Sequence, residues 1–551
     1  MKPDKKSKKN KKTIYKKADI FSYEGRDPLD PSGAPELVIG IVGPAGVDRK
    51  KVCESIVFEL EEYNYNSTTI KLSSLMESIS EFKKLGLASS FSDECDRIEK
   101  LMNAGNNLRT ASQKGDALAL LAIAKIQQVR EFLNSNESKE IYAPRERTAY
   151  ILDSLKHPDE ISTLRATYGQ GFLLISVHAN RDQRVQNLAK RISDSRREPQ
   201  GTHLARSDAE RLIVRDEKED FLNFGQNVQS CFPKADFFID IDSKTKTLKS
   251  QVERVFKIVF DYPFITPSKD EWGMFHAESA SWRSADLARQ VGSSICGDNG
   301  EVLALGCNET PKAFGGLYWE GDIPDGRDFQ YNMDQGAELK RLMLAEIFNR
   351  LKNHGDFGKK TSKKISNLIY KSIRGENDPV LDGLQALNII EYGRTVHAEM
   401  ASLMDAVSRG VSVKNATMYV NTFPCHICAR HIISSGIKRL VFIEPYPKSF
   451  TNKLFSDSIS NTRENSEKIL FEPFIGVAPR MYQFSFKSIS KRKKKDGVIV
   501  EWRKNNAKTK LKRFVTSYMA IENQIIASLI PQIIDKCKEI NYDILESSGP
   551  H

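Results

Sequence analysis

The chain has 551 residues, 40% of them hydrophobic, and a formal net charge of +11. That length is too great for one hydrophobic core and predicts two or three domains. No apolar run approaches the ~20 residues that span a bilayer. The basic start, Met1-Lys2-Pro3-Asp4-Lys5-Lys6, has no apolar stretch after it to make a secretory signal.

In chain order, residues 1–35 read as a disordered basic arm ending in Pro28, Pro31, Gly33 and Pro35. Leu37–Val42 is a short apolar run and predicts a buried strand. Helical patterning follows, notably over 113–134. Further strands are expected at Ala149–Asp153, Phe172–Val177 and Phe237–Ile241. Strands alternating with helices predict an α/β domain with a parallel sheet over about 36–262. Pro263 and Pro267 mark a linker, and a helix is expected over 271–290. Val291–Cys296 and Val302–Gly306 flank Asp298-Asn299-Gly300, a hairpin signature. A charged insertion (about 316–390) precedes His397. A helix over 398–409, a strand at Thr417–Asn421 leading into Pro424, a helix continued over Ala429–Ser435 and closed by Gly436, and a strand at Leu440–Ile443 complete a second unit, 263–485. Residues 486–551 hold a basic segment and, over 511–546, an amphipathic helical pattern.

Charge and cysteine are unevenly placed. Residues 1–17 contain nine Lys and one Asp, and Lys491–Lys495 form a second run. These read either as solvated tails or as a footprint for RNA or DNA, with Trp502 and Phe514 the main stacking candidates. The eight Cys are scattered except for Cys425 and Cys428. That spacing argues against a disulfide framework and suits a reducing cytoplasm.

The motif that carries chemistry is His397-Ala398-Glu399 followed by Pro424-Cys425-His426-Ile427-Cys428. One His and two Cys suit Zn²⁺ and leave a fourth position open. H-x-E…P-C-x-x-C is the signature of zinc-dependent nucleobase deaminases. In this reading His397, Cys425 and Cys428 are the metal ligands. Zinc lowers the pKa of a water from ~15.7 toward ~7, and Glu399 moves protons between that water, ring N3 and the departing amine. Pro424 suggests a helix starting at the motif, whose N–H groups stabilise thiolates. C-x-x-C alone also suits a redox pair or half a structural zinc site. H-x-E recurs as His276-Ala277-Glu278, read as a chance match, and His426 and His431 read as packing or helix-surface residues.

Residues about 270–485 resemble the CMP/dCMP-type deaminases beyond these motifs. Arg283–Gly292 resembles the family's first helix and its entry into the hairpin. Gly306-Cys307-Asn308-Glu309 resembles its sugar-contacting segment, which implies that Asn308 binds deoxyribose; Cys307 and Glu309 depart from the family pattern. An N-terminal P-loop-like parallel-sheet domain fused to an α/β/α cytidine-deaminase-like sandwich resembles the bacterial anti-phage dCTP deaminases. Trp319–Asp322, Tyr446–Ser449 and Phe471–Arg480 add to that likeness. The resemblance implies deamination of dCTP and dCMP to dUTP and dUMP, draining cytosine deoxynucleotides during infection, and a homo-oligomer.

Gly43-Pro44-Ala45-Gly46-Val47-Asp48-Arg49-Lys50 follows a strand as a P-loop does. It departs from G-x-x-x-x-G-K-[ST] at Asp48, Arg49 and Lys50. Backbone N–H groups around Gly43 and Gly46, with Arg49 and Lys50, are expected to cradle the phosphates of ATP or GTP. Asp153 reads as a Walker-type acid or a helix cap. Three functions compete: a free-nucleotide deaminase, a polynucleotide cytidine deaminase acting on single strands, and a non-enzymatic RNA-binding sensor with structural zinc. A constitutive dCTP deaminase would harm its cell, so inhibition by an RNA held on the basic tails is a further expectation.

Overall fold

The computed structural model describes residues 34–76, 91–137, 141, 143–219, 222, 224–243, 245–355, 358–376, 380–381, 384–389, 391–444, 449–463, 467–511 and 515–537. The N-terminal arm, Tyr446-Pro447-Lys448, Phe514 and the last part of the expected C-terminal helix lie outside them. Among the described residues no helix is long and apolar enough to cross a membrane.

The described residues fold as mixed α/β with two six-stranded sheets. The first contains β1 (Leu37–Val42), β2 (Asn66–Lys71), β3 (Thr148–Asp153), β4 (Phe172–His178) and β5 (Phe237–Asp240), all parallel, in the order β5-β4-β1-β3-β2. Every residue of β1 is buried. Leu37, Ile39 and Ile41 face one core with Ile56, Leu60 and Phe256, and Val38 and Val42 face another with Leu120, Ile123 and Leu155. A central strand covered on both faces reads as a continuous apolar run. Sequence reading missed β2, in which only Ile70 is buried, because a polar edge strand carries no such run. The expected 113–134 helix is instead Ala117–Asn136, since Glu94–Ser112 is closed by Gln113 in the left-handed conformation, φ 54°.

The second sheet has the order β10-β11-β9-β8-β6-β7. Its strands are β6 (Gly292–Cys296), β7 (Val302–Cys307), β8 (Thr417–Thr422), β9 (Arg439–Glu444), β10 (Ile459–Ser460) and β11 (Ile469–Pro473). β6 and β7 form the expected antiparallel hairpin, turning at Gly300 with φ 93°. Neighbouring residues on a strand point to opposite faces. Ser294 Oγ donates to Gly273 O of the helix Lys269–Ser281, while Ser293 Oγ meets Ser402 Oγ of the helix Ala398–Ser408 at 3.0 Å. The two helices therefore cover opposite faces, making a three-layer unit. The expected insertion holds a packed helix pair, Gln335–His354 and Lys359–Arg374.

The helix expected over 271–290 stops at Ser281. Beyond it, Glu309 Oε2 accepts the Ala285 N–H, Ser284 Oγ accepts the Asp286 N–H and Asp286 Oδ1 accepts the Ala288 N–H. Side-chain acceptors thus take the backbone donors a helix would have used. The Arg283–Gly292 segment is accordingly a loop leading into β6.

After the second sheet the chain returns to the first. β12 (Gly476–Val477) pairs antiparallel with β5. Trp502, expected as a stacking residue, donates its indole N–H to Phe260 O and packs edge-on against Tyr262. The helix Val515–Gln524 delivers Glu522 to Arg130, which also pairs with Glu36, and all three are buried. Lys491–Lys495 is exposed.

Arg439 grips Asp270 through two bonds, 2.6 and 2.8 Å, and Tyr419 OH adds a third at 2.8 Å, tying β8 and β9 to the helix Lys269–Ser281. Burial alone would raise the Asp270 carboxyl, but the Arg439 hydrogen bonds and charge outweigh it and hold the carboxyl below its ordinary value. A carboxyl lowered on folding stabilises above its unfolded pKa and loses that contribution as pH falls through the folded one. Asp270→Asn is therefore expected to lower the urea midpoint at pH 7, with the deficit shrinking once pH falls below about 4.

Candidate metal centre and active site

Two helix N-termini converge beside β6 and β7. His397 is the N-cap of Ala398–Ser408 and makes no capping bond with its ring, so the imidazole turns to the two cysteine sulfurs instead. Cys425 is the N-cap of His426–Ser434, and its Sγ accepts the Cys428 N–H at 3.4 Å. This helix starts at the motif and continues through Ala429 as expected, but Pro424 precedes the cap instead of sitting in the first turn. Both helices aim exposed N–H groups and positive dipole ends at the same point, which favours thiolates there.

His397 Nδ1 lies 3.3 Å from Cys425 Sγ and 3.3 Å from Cys428 Sγ. All three donor atoms fall within 4.8 Å of one another. Tetrahedral zinc with bonds of about 2.0–2.3 Å requires ligand atoms about 3.5 Å apart. The spacing and the N/S/S chemistry fit Zn²⁺. The hydrogen bond with Cys425 raises His397 to about 9, against the opposing effect of burial. The Cys425 thiol is lowered, first by the Cys428 hydrogen bond and then by His397, whereas that bond and burial push Cys428 up. A dication held by these three residues would take the place of the shared protons and let both sulfurs ionise.

Glu399 sits one residue inside the helix that His397 caps. It is 3% exposed, and burial raises its carboxyl above the ordinary range. His397, Glu399 and Cys425 line a cavity of about 320 Å³. Arg289, Lys340 and Arg394 bring positive charge to its wall, and Asp286, Asp328 and Asp334 bring negative charge. Phe423 is the only Phe, Tyr or Trp lining it among the described residues.

Asn308 also lines this cavity, but its carboxamide is engaged locally. Oδ1 accepts the Val291 N–H at 2.7 Å and Nδ2 donates to Arg289 O at 2.8 Å. Glu309 is buried and forms a two-way backbone bridge with Val396, the residue before His397. Its carboxylate thus braces the loop that carries Asp286, while Thr395 Oγ1 donates to Asp286 at 2.9 Å. Sequence reading missed Arg394, Thr395 and Asp286; adjacency to His397 was the available signal for the first two.

Gly306 has a packing role. A Cβ there would lie 2.3 Å from Ser402 N and 2.4 Å from Ala398 O, so β7 abuts the backbone of the helix carrying Glu399. Gly306→Ala is expected to push that helix away, costing about 1–3 kcal/mol of stability and lowering zinc retention. Thermal melts and metal analysis of the purified variant check both.

The second H-x-E lies apart from this centre. His276 stacks edge-on against Trp272, and Glu278 accepts from Asn421. His426 faces Glu391 at 3.7 Å, and His431 lies further along the same helix; neither is in the donor cluster. In the first sheet, Gly43 and Gly46 form the turn after β1, Asp48 caps the helix Arg49–Glu62, and Arg49 pairs with Asp153 at 2.8 Å. Lys50 is exposed beside Glu54.

Residues 267–444 match the cytidine and deoxycytidylate deaminase zinc-binding region. The deoxycytidylate deaminase of enterobacteria phage T2 is 46% identical over 54 residues, 10% of this chain and 29% of that protein. A tRNA-specific adenosine deaminase of Buchnera aphidicola is 38% identical over 86 residues, 15% of this chain and 55% of that one. The chain thus spans under a third of the phage enzyme and about half of the tRNA enzyme. The apo crystal structure of the dCMP deaminase from cyanophage S-TIM5 is 14% identical, covering 38% of this chain and 100% of that one at a TM-score of 0.20. The match over residues 267–444 is to a zinc-binding region, and His397, Cys425 and Cys428, whose donor atoms could hold a metal ion, lie within it.

Proposed function

We propose that the chain hydrolyses the exocyclic amine of free deoxycytidine nucleotides, converting dCTP and dCMP to dUTP and dUMP with release of ammonia. The observation that carries this reading is the buried Glu399 beside the His397–Cys425–Cys428 donor set in one small cavity. Zinc held by that set supplies an activated water at neutral pH. Glu399 would take one proton from this water and pass it to ring N3, then take the second proton from the oxygen now bonded to C4 and deliver it to the amine, which leaves as ammonia. A carboxyl raised by burial suits both accepting and returning a proton. Asn308, with its remaining hydrogen-bonding capacity, contacts the sugar. Arg289, Lys340 and Arg394 receive the phosphates.

A polynucleotide editor needs an open groove with aromatic platforms for successive bases. Among the described residues Phe423 is the one Phe, Tyr or Trp lining this cavity, which favours a single nucleotide. The similarity to a tRNA-specific adenosine deaminase keeps the polynucleotide reading as the second one. A structural zinc in a non-enzymatic sensor has no use for Glu399. Incubating the zinc-loaded chain with dCTP, dCMP, CTP and a cytosine-rich oligonucleotide separates these readings. Uracil products from the deoxynucleotides alone are expected; uracil only in the oligonucleotide would transfer the assignment to the second reading, and none anywhere would leave the third.

The biological extension is depletion of the dCTP pool as defence against phage. It is tested by phage plating on cells expressing the chain or its Glu399→Gln form, with protection expected only from the former. A homo-oligomer and an RNA held by the basic tails complete the proposal. Sedimentation tests the first, and RNA affinity after removal of residues 1–17 and 491–513 tests the second.

A further inference from the structure

Two hydroxyls from the chain beyond β9 reach back to the carbonyl that precedes the first cysteine. Ser449 Oγ donates to Pro424 O at 2.9 Å, and Thr451 Oγ1 donates to the same oxygen at 3.1 Å. A carbonyl oxygen has two lone pairs and each hydroxyl one proton, so the pair satisfies that oxygen completely. Ser449 Oγ also accepts the Thr451 N–H at 3.3 Å, a local turn that such side chains commonly make. The bonds to Pro424 are different in kind, because they span 25 and 27 residues. Thr451 is fully buried.

Proline makes the direction of that carbonyl important. The Pro424 ring locks φ and removes the N–H, and the peptide bond that follows is planar. ψ is therefore the one soft backbone torsion left at Pro424, and it is ψ that aims the carbonyl. Holding the oxygen fixes the plane that runs into the Cys425 nitrogen and hence the direction in which the Cys425 side chain departs. The helix His426–Ser434 holds Cys425 from the other side, where its carbonyl accepts the Ala429 N–H at 2.9 Å. One residue before Pro424, the Phe423 N–H is fastened to Glu444 O at 2.8 Å.

The support beneath the hydroxyls is itself tied down. Thr451 opens the short helix Thr451–Leu454, and the Phe455 N–H donates to Thr451 O at 3.0 Å. Phe455 packs against the core that contains Phe423, Cys425 and Cys428. Ile459 then enters β10, which pairs with β11.

We infer that Thr451, together with Ser449, is a positioning residue of the zinc centre. Its hydroxyl sets the Pro424–Cys425 peptide plane so that Cys425 Sγ meets the metal alongside His397 Nδ1 and Cys428 Sγ. Thr451 acts through Pro424 and is not one of the donors. The inference rests on the donor set and does not depend on which base, if any, is deaminated.

The test is competition for zinc between the full chain and a chromophoric chelator. Valine keeps the shape of threonine and loses the hydroxyl, whereas serine keeps the hydroxyl and loses the methyl. Partners that orient metal ligands typically govern affinity by about 10–100-fold. Thr451→Val is expected to weaken zinc binding about tenfold, and Thr451→Ser to stay within about twofold of the unmodified chain. A role in packing alone would give the reverse order. If Thr451→Val does not fold, Ser449→Ala, at a half-buried position, supplies the comparison, again with weaker zinc binding expected. Unchanged zinc affinity in the variant that lacks the hydroxyl, or an equal loss in Thr451→Val and Thr451→Ser, would overturn the inference.

Discussion

Glu399→Gln is expected to retain zinc and cut turnover of dCMP by about 10²–10⁴-fold, the usual contribution of a positioned general acid–base. Glutamine preserves the shape of the side chain and its burial in the first turn of Ala398–Ser408, but it cannot accept a proton. The donor atoms of His397, Cys425 and Cys428 are untouched by this change. Metal content, measured by atomic absorption, should therefore match the unmodified chain, and only the rate should fall. Near-normal turnover at full zinc content would remove Glu399 from the proposed chemistry.

Cys428→Ala is expected to abolish both stoichiometric zinc and deamination. Cys428 is fully buried, and its sulfur lies 3.3 Å from His397 Nδ1, so no solvent-facing group is placed to substitute for it. Two remaining protein ligands fall short of the three that catalytic zinc sites use. Because metal binding and folding are coupled, the variant and the chelator-treated chain should also melt at lower temperature. Cys and His must shed protons to bind metal, so zinc retention should fall as the medium is acidified. Metal analysis after dialysis across a pH series, with parallel melts, measures each effect; stoichiometric zinc in Cys428→Ala would contradict the donor set.

The zinc centre was legible because its parts are local. His397 and Glu399 share one helical turn, as do Cys425 and Cys428, and each pair starts a helix whose N-terminus favours the chemistry. The hairpin was legible from Asp298-Asn299-Gly300, and β1, β3, β4 and β5 were legible as apolar runs because both faces of their sheet are covered. What escaped depends on distant partners. The stop at Ser281 relies on Glu309 capturing the Ala285 N–H, and the return of the chain after β11 relies on pairing with β5 and on Glu522 meeting Arg130. The loop after β1 was read as a phosphate cradle with Arg49 and Lys50 free to help. In the folded chain Arg49 is paired with Asp153, Lys50 is exposed, and the Ala45 N–H is taken by Asp216.

Turnover of dCMP by the zinc-loaded chain in ¹⁸O-enriched water, read by mass spectrometry, tests the central claim most directly. Hydrolytic deamination places one solvent oxygen at C4 of the product base and releases one ammonia per dUMP. The account predicts dUMP carrying ¹⁸O together with equimolar ammonia. Recovery of unchanged dCMP, or of a product without the label, would contradict it.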